Sequence, residues 1–163
     1  MVPLSLSMAG STAGRKFDMN YENILDLLPY KSSFRFVDGI SFLDSDKVIG
    51  HYTLKPDEFF YADHFPGNPV TPGAIVTEIM AQIGLVVLGI FLVKGQEAPV
   101  FPLLTSVEVS FLSMVQPGQR VTVTSEKIYF RFEKLKCKVV MQDDAGEPIA
   151  KGVFSGMIKK LSK

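Results

Sequence analysis

Between His64 and Gly73 the chain sets one imidazole into a turn stiffened by Pro66, Pro69 and Pro72, with Gly67 and Gly73 allowing close backbone approach. The turn leads into an apolar stretch beginning near Pro72-Gly73. The first N–H groups of a helix starting there lack intrahelical partners, and its dipole is positive. An oxygen gaining negative charge would be stabilised at that point, which makes the Gly73 N–H a candidate oxyanion donor. One and a half turns further on, Glu78 sits among Ala74, Ile75, Ile79 and Met80. Such surroundings disfavour an ionised carboxylate, so an acid kept protonated toward neutral pH is expected. A base, an N–H site and a carboxylic acid together suit the loss of water from a 3-hydroxyacyl group. One residue takes the proton alpha to a carbonyl, the N–H steadies the enolate-like oxygen, and the acid protonates the departing hydroxyl. That chemistry requires neither a metal nor a nucleophile.

Taken singly, these residues have plainer readings. His64 could be a loop histidine with one hydrogen bond, and Glu78 a helix acid paired with a lysine. His51 alternates with strand residues, is expected at the surface and is assigned no role. Cys137 shares a face with Leu135 and Val139 and reads as core, while Lys134, Lys136 and Lys138 read as a solvated strand face.

The elements that must position the turn follow from pattern. Asn20 can cap a short helix through about Leu28, closed by Pro29. FRFVDGISFLD and KVIGHYTL, joined across Ser45 and Asp46, read as a hairpin. A helix runs from Gly73 to about Val93, stopped by Lys94-Gly95. Strands are expected near 100–115, 120–133, 135–143 and 147–160, with turns at Gln116-Pro117-Gly118-Gln119 and Asp143-Asp144-Ala145-Gly146. Val107, Val109 and Phe111 alternate with Glu108 and Ser110, which predicts an antiparallel sheet with one buried face. The whole is α+β, a sheet wrapped around one long apolar helix. A single sheet covers such a helix only in part, so a second subunit is expected to cover the rest.

Composition sets the outer bounds. The 163 residues suit one domain, 18–163, after a flexible Ser/Gly/Ala-rich tail over 1–17. A chain 47% hydrophobic with 13 Phe can fill a core. Seventeen Lys plus Arg against seventeen Asp plus Glu leave no basic footprint for nucleic acid. One cysteine excludes an intramolecular disulfide framework and points to a reducing cytoplasm. Gly73–Val93 has transmembrane length, but Glu78 and Gln82 interrupt it; a buried helix and no membrane insertion are expected.

The segment HFPGNPVTPGAIVTEIMAQIG, from His64, closely resembles the active-site segment of the hot-dog-fold 3-hydroxyacyl-[acyl-carrier-protein] dehydratases, the FabZ-type enzymes. Their pattern is H-F-P-G-x-P-[VI]-x-P-G followed by a helix with E-x-x-A-Q, and here Glu78 stands fourteen positions after His64, with Ala81-Gln82 completing it. LPYKSSFRFVDGI and SFLSMVQPGQRV are similar to the family's L-P-H-R-x-P-F-L-x-V-D-R and P-V-x-P-G-D segments. The resemblance implies a hot-dog homodimer, with a trimer of dimers as the common higher assembly. In it, the His of one subunit meets the Glu of the other beside a tunnel for the acyl chain. The substrate rides on the phosphopantetheine of acyl carrier protein, and no cofactor or metal is bound. By position, His64 is the base, Glu78 the acid or orienter of the hydroxyl, Gly73 the carbonyl donor, and Gln82 the support for Glu78. Phe65, Pro66, Gly67 and Pro72 shape the turn. A Glu rather than an Asp favours the plain dehydratase over the branch that also isomerises the double bond.

Against the family pattern, Tyr30-Lys31 replace His-Arg, Ser33 a Pro, Gly39 an Arg and Thr71 a Met; Ser110, Leu112 and Met114 depart in the later strand. These changes suggest a polyketide-like, polyene or specialised lipid route as an alternative to housekeeping fatty-acid elongation. The competing readings are a hot-dog thioesterase, an (R)-specific enoyl-CoA hydratase relative, a non-catalytic acyl-binding protein and a membrane-anchored protein.

Overall fold

The computed structural model describes residues 21–93 and 100–160. The expected 1–17 tail, the Asn20 cap and the Lys94-Gly95 stop lie outside the described residues. A short helix α1 (Tyr21–Asp26) is followed by a one-turn 3₁₀ segment (Ser32–Phe34), then β1 (Gly39–Leu43) and β2 (Lys47–Thr53). The long helix α2 (Gly73–Leu92) comes next. After it run β3 (Val100–Phe111), β4 (Arg120–Arg131), β5 (Lys134–Asp143) and β6 (Pro148–Lys160). The six strands form one sheet in the order β1-β2-β4-β5-β6-β3, antiparallel at every pairing. Period-two patterning produces this directly: Val121, Val123, Leu135, Cys137, Val139 and Met141 are all fully buried against the helix. Burial pushes the Cys137 thiol up to about 11, in keeping with a core residue.

The helix is apolar enough to span a bilayer by length and composition, yet 78% of its most hydrophobic window is buried inside this chain. Coverage differs from the expectation in an instructive way. Every residue from Met80 to Ile90 is already buried by the chain's own sheet, while Ala74 near the N-terminal end is exposed. A run of apolar surface left open lies on β3, at the sheet edge, where Phe101, Leu103, Leu104 and Phe111 are each close to half-exposed. The expected inward-facing set on β3 does face the helix but is covered only in part: Val107 and Val109 pack half-buried against the core, and Phe111 lies half-exposed beside Gly73, because an edge strand has a neighbour on one side only.

A strand boundary also moves. The first strand begins at Gly39, not Phe34, because the Phe34 carbonyl and the Phe36 N–H are taken by the Gln82 side chain instead of a neighbouring strand. Midway, the helix widens into a π-type segment over Gln82–Val87. There the Gly84 carbonyl accepts the buried Ser125 hydroxyl at 2.7 Å. A Cβ on Gly84 would stand 2.9 Å from Val139 Cγ1, so glycine lets the helix seat itself on β4 and β5. His51 is half-buried, contrary to expectation: its ring lies over Gly39, where a Cβ would come within 2.7 Å of Cε1.

Candidate active site

His64 is held by its own turn. Its N–H donates to the Phe60 carbonyl at 3.0 Å, and its carbonyl accepts the Val70 N–H at 3.0 Å. Phe65 and Asn68 exchange N–H···O bonds at 3.1 and 2.8 Å, and Gly67 at the apex has φ +75, which glycine adopts without strain. The His64–Phe65 peptide is cis. The imidazole Nδ1 lies 2.8 Å from the Val70 carbonyl oxygen. A carbonyl only accepts, so Nδ1 carries a proton, and in the neutral imidazole the Nε2 lone pair is the free one. The Phe65 ring stacks on the imidazole with centroids 4.0 Å apart.

The turn is fastened at its far end by a pair that sequence reading missed. Tyr61 and Thr71 share a hydroxyl–hydroxyl bond of 2.6 Å, both side chains buried, and the Thr71 N–H donates to the Val115 carbonyl. A polar residue in an apolar motif was the available signal, since a buried threonine must find a partner. Pro72 then opens the helix, and among the described residues the N–H groups of Gly73 and Ala74 have no acceptor. A Cβ on Gly73 would lie 3.2 Å from the Phe111 ring, which forms a wall beside those N–H groups.

Glu78 is held by a long-range relay. Gln82 is fully buried and spends its whole carboxamide: Oε1 accepts the Phe36 N–H at 2.8 Å, and Nε2 donates to the Phe34 carbonyl at 2.9 Å and to Glu78 Oε1 at 2.8 Å. The carboxylate is thereby indexed to backbone 46 and 48 positions away in sequence from Gln82. Glu78 opens onto a cavity of about 260 Å³. The lining joins Tyr30 and Glu78 to apolar side chains of the helix (Leu85, Val86) and of β3 and β6 (Leu103, Leu104, Ile158). His64 is not among the lining residues, so one chain brings Glu78 and Gln82 together but does not bring His64 to the same cavity. Phe65, Pro66 and Gly67 are exposed on the turn. Chemically, the two halves offer a proton acceptor, a pair of unpaired N–H groups and a carboxyl beside an apolar cavity.

Comparison with known proteins follows the same line. The FabA-like domain family matches residues 28–145. The 3-hydroxyacyl-[acyl-carrier-protein] dehydratase FabZ of Caldicellulosiruptor bescii is 32% identical over 142 residues, covering 86% of this chain and 99% of that one. Among solved structures, the dehydratase heterocomplex ApeI:P from Xenorhabdus doucetiae superposes with a TM-score of 0.68 at 12% identity, covering 83% of this chain and 91% of that one. Thioesterase HI1161 from Haemophilus influenzae does so at 0.64 and 14%, covering 89% and 94%. At such identities the two structures speak to the hot-dog fold alone, which dehydratases and thioesterases share.

Proposed function

The chain belongs to the FabZ-type 3-hydroxyacyl-[acyl-carrier-protein] dehydratase family, and from that premise we propose that His64 and Glu78 carry out the dehydration, on one active site assembled from two subunits. The enzyme is a hydro-lyase forming a trans-2-enoyl-[acyl-carrier-protein]. His64 Nε2 takes the alpha proton, the Gly73 N–H holds the thioester carbonyl oxygen as it gains charge, and Glu78 protonates the departing hydroxyl. The observation that carries this reading is the Nδ1 contact with Val70, which fixes the tautomer with a free Nε2. Gln82 is a positioning residue, holding one oxygen of Glu78 and leaving the other toward the cavity.

The partner subunit enters because His64 and the Glu78 cavity lie apart within one chain, and because the apolar edge of β3 borders that cavity through Leu103 and Leu104. Pairing of the two β3 edges in a homodimer would cover those side chains and close the cavity into a tunnel for the acyl chain. The substrate arrives on acyl carrier protein in the cytoplasm, and the reaction uses no resident cofactor. The products serve fatty-acid synthesis or a related polyketide or polyene lipid route; Tyr30, Lys31, Gly39 and Thr71 are the substitutions that favour a specialised route.

Hydration of a trans-2-enoyl thioester, followed as loss of enoyl absorbance, tests the assignment with carrier-protein and coenzyme A substrates. Turnover by the wild type that falls at least about a hundredfold in His64→Ala and in Glu78→Gln is expected, the scale of one acid–base group. Turnover untouched by His64→Ala would refute the site. Equal turnover of ordinary short and long chains would count against a specialised route.

A further inference from the structure

We propose that the Tyr30 hydroxyl is a substrate-binding donor that holds the departing 3-hydroxyl of the acyl chain beside Glu78. The inference rests on the dehydratase reading above and assigns a residue beyond it.

Among the described residues, Tyr30 and Glu78 supply the only oxygen-bearing side chains in the cavity lining; every other contributor is apolar or glycine. Both are indexed to the same short segment. The Tyr30 ring packs on the Phe34 ring with centroids 6.2 Å apart, and the Phe34 carbonyl anchors the Gln82 amide that grips Glu78. Neither group is satisfied toward the cavity. Among the described residues the Tyr30 hydroxyl has no hydrogen-bond partner, and Glu78 Oε2 has none either, since Gln82 takes Oε1. Burial holds the phenol above its ordinary pKa, so it stays a donor throughout the neutral range.

A largely apolar cavity with two unsatisfied oxygens on its wall suits a ligand that is apolar apart from one hydroxyl. In a 3-hydroxyacyl thioester the 3-hydroxyl is that group. During elimination the alpha C–H proton goes to His64 Nε2, its electron pair forms the new C=C bond, and the C3–O bond breaks. The oxygen takes the proton of Glu78 and leaves as water. Tyr30 transfers nothing; it donates a hydrogen bond to that oxygen before and during departure.

The test uses His64→Ala protein, in which turnover is expected to be at least about a hundredfold slower, and compares a 3-hydroxyacyl-pantetheine with the saturated acyl-pantetheine of the same length. The hydroxylated ligand is expected to bind roughly tenfold tighter, the scale of one hydrogen bond in a buried site. Adding Tyr30→Phe should remove most of that preference, Glu78 retaining the rest, while leaving the affinity for the saturated ligand unchanged. Equal weakening of both ligands would show a merely structural role and overturn the proposal. An unchanged preference would overturn it too, with the dehydratase reading intact wherever wild-type protein dehydrates the substrate. A wild type that turns over no 3-hydroxyacyl thioester would refute the underlying reading and this proposal with it.

Discussion

The two halves of the site are held by opposite means. On the proposed base side, His64 sits in a turn whose hydrogen bonds run between residues 60 and 70, with Tyr61 and Thr71 locking its end. On the proposed acid side, Glu78 depends on Gln82, and Gln82 on the backbone of Phe34 and Phe36, just ahead of the β1–β2 hairpin. The first arrangement is local and survives changes elsewhere in the fold. The second exists only once the core has closed, because a carboxamide that is fully buried must find all of its partners at once. Chemistry and stability are therefore nearly independent at His64 and inseparable at Gln82.

Substitutions can break or sharpen that contrast. The largest effect is expected from His64→Ala: kcat drops at least about a hundredfold. Its unfolding midpoint should stay close to wild type, since the side chain contributes one half-buried hydrogen bond while the backbone bonds of the turn remain. Steady-state kinetics with a denaturant melt checks both. Gln82→Leu should lower activity and stability together. It strands the Phe34 carbonyl and the Phe36 N–H, and each buried group left unsatisfied costs about 1–3 kcal/mol. A Gln82→Leu protein that melted like wild type would erase the distinction drawn here. Gly67→Ala meets no steric obstacle but places an L-residue at φ +75, costing roughly 1–2 kcal/mol and loosening the base turn. Its signature is a reduced kcat with substrate affinity retained. Ser125→Ala, away from both halves, should cost about 1 kcal/mol through the bond lost to Gly84, without altering turnover at saturating substrate.

How much of this could be read from the sequence follows the same division. The strand β5 was legible from simple alternation, because it has neighbours on both sides and one buried face. The segment from His64 to Gln82 was legible because its prolines, glycines and spaced side chains constrain the chain locally. Contacts between distant segments carried no such signature. Nothing in the FRFVDG stretch signals that its backbone is bonded to a side chain on the helix, so its first residues read as strand. Phe111 read as core by alternation; it does face the helix, beside Gly73, but the position of β3 at the sheet edge leaves it half-exposed. Tyr30 stood out only as a departure from the family pattern; its place on the cavity wall with Glu78 depends on tertiary packing. The helix carried too little positional information to reveal that its middle is buried within one chain and that a run of apolar side chains is left open on β3.

The central claim is that the two halves meet across subunits, and mixing tests it most directly. His64→Ala and Glu78→Ala subunits, each inactive alone, are co-expressed and the mixed dimers assayed for dehydration. Random pairing makes about half of the dimers mixed, each with one intact site, so recovery of about a quarter of wild-type activity is predicted. No recovery from mixed dimers shown to have formed would contradict the account and place both residues of each site in one chain.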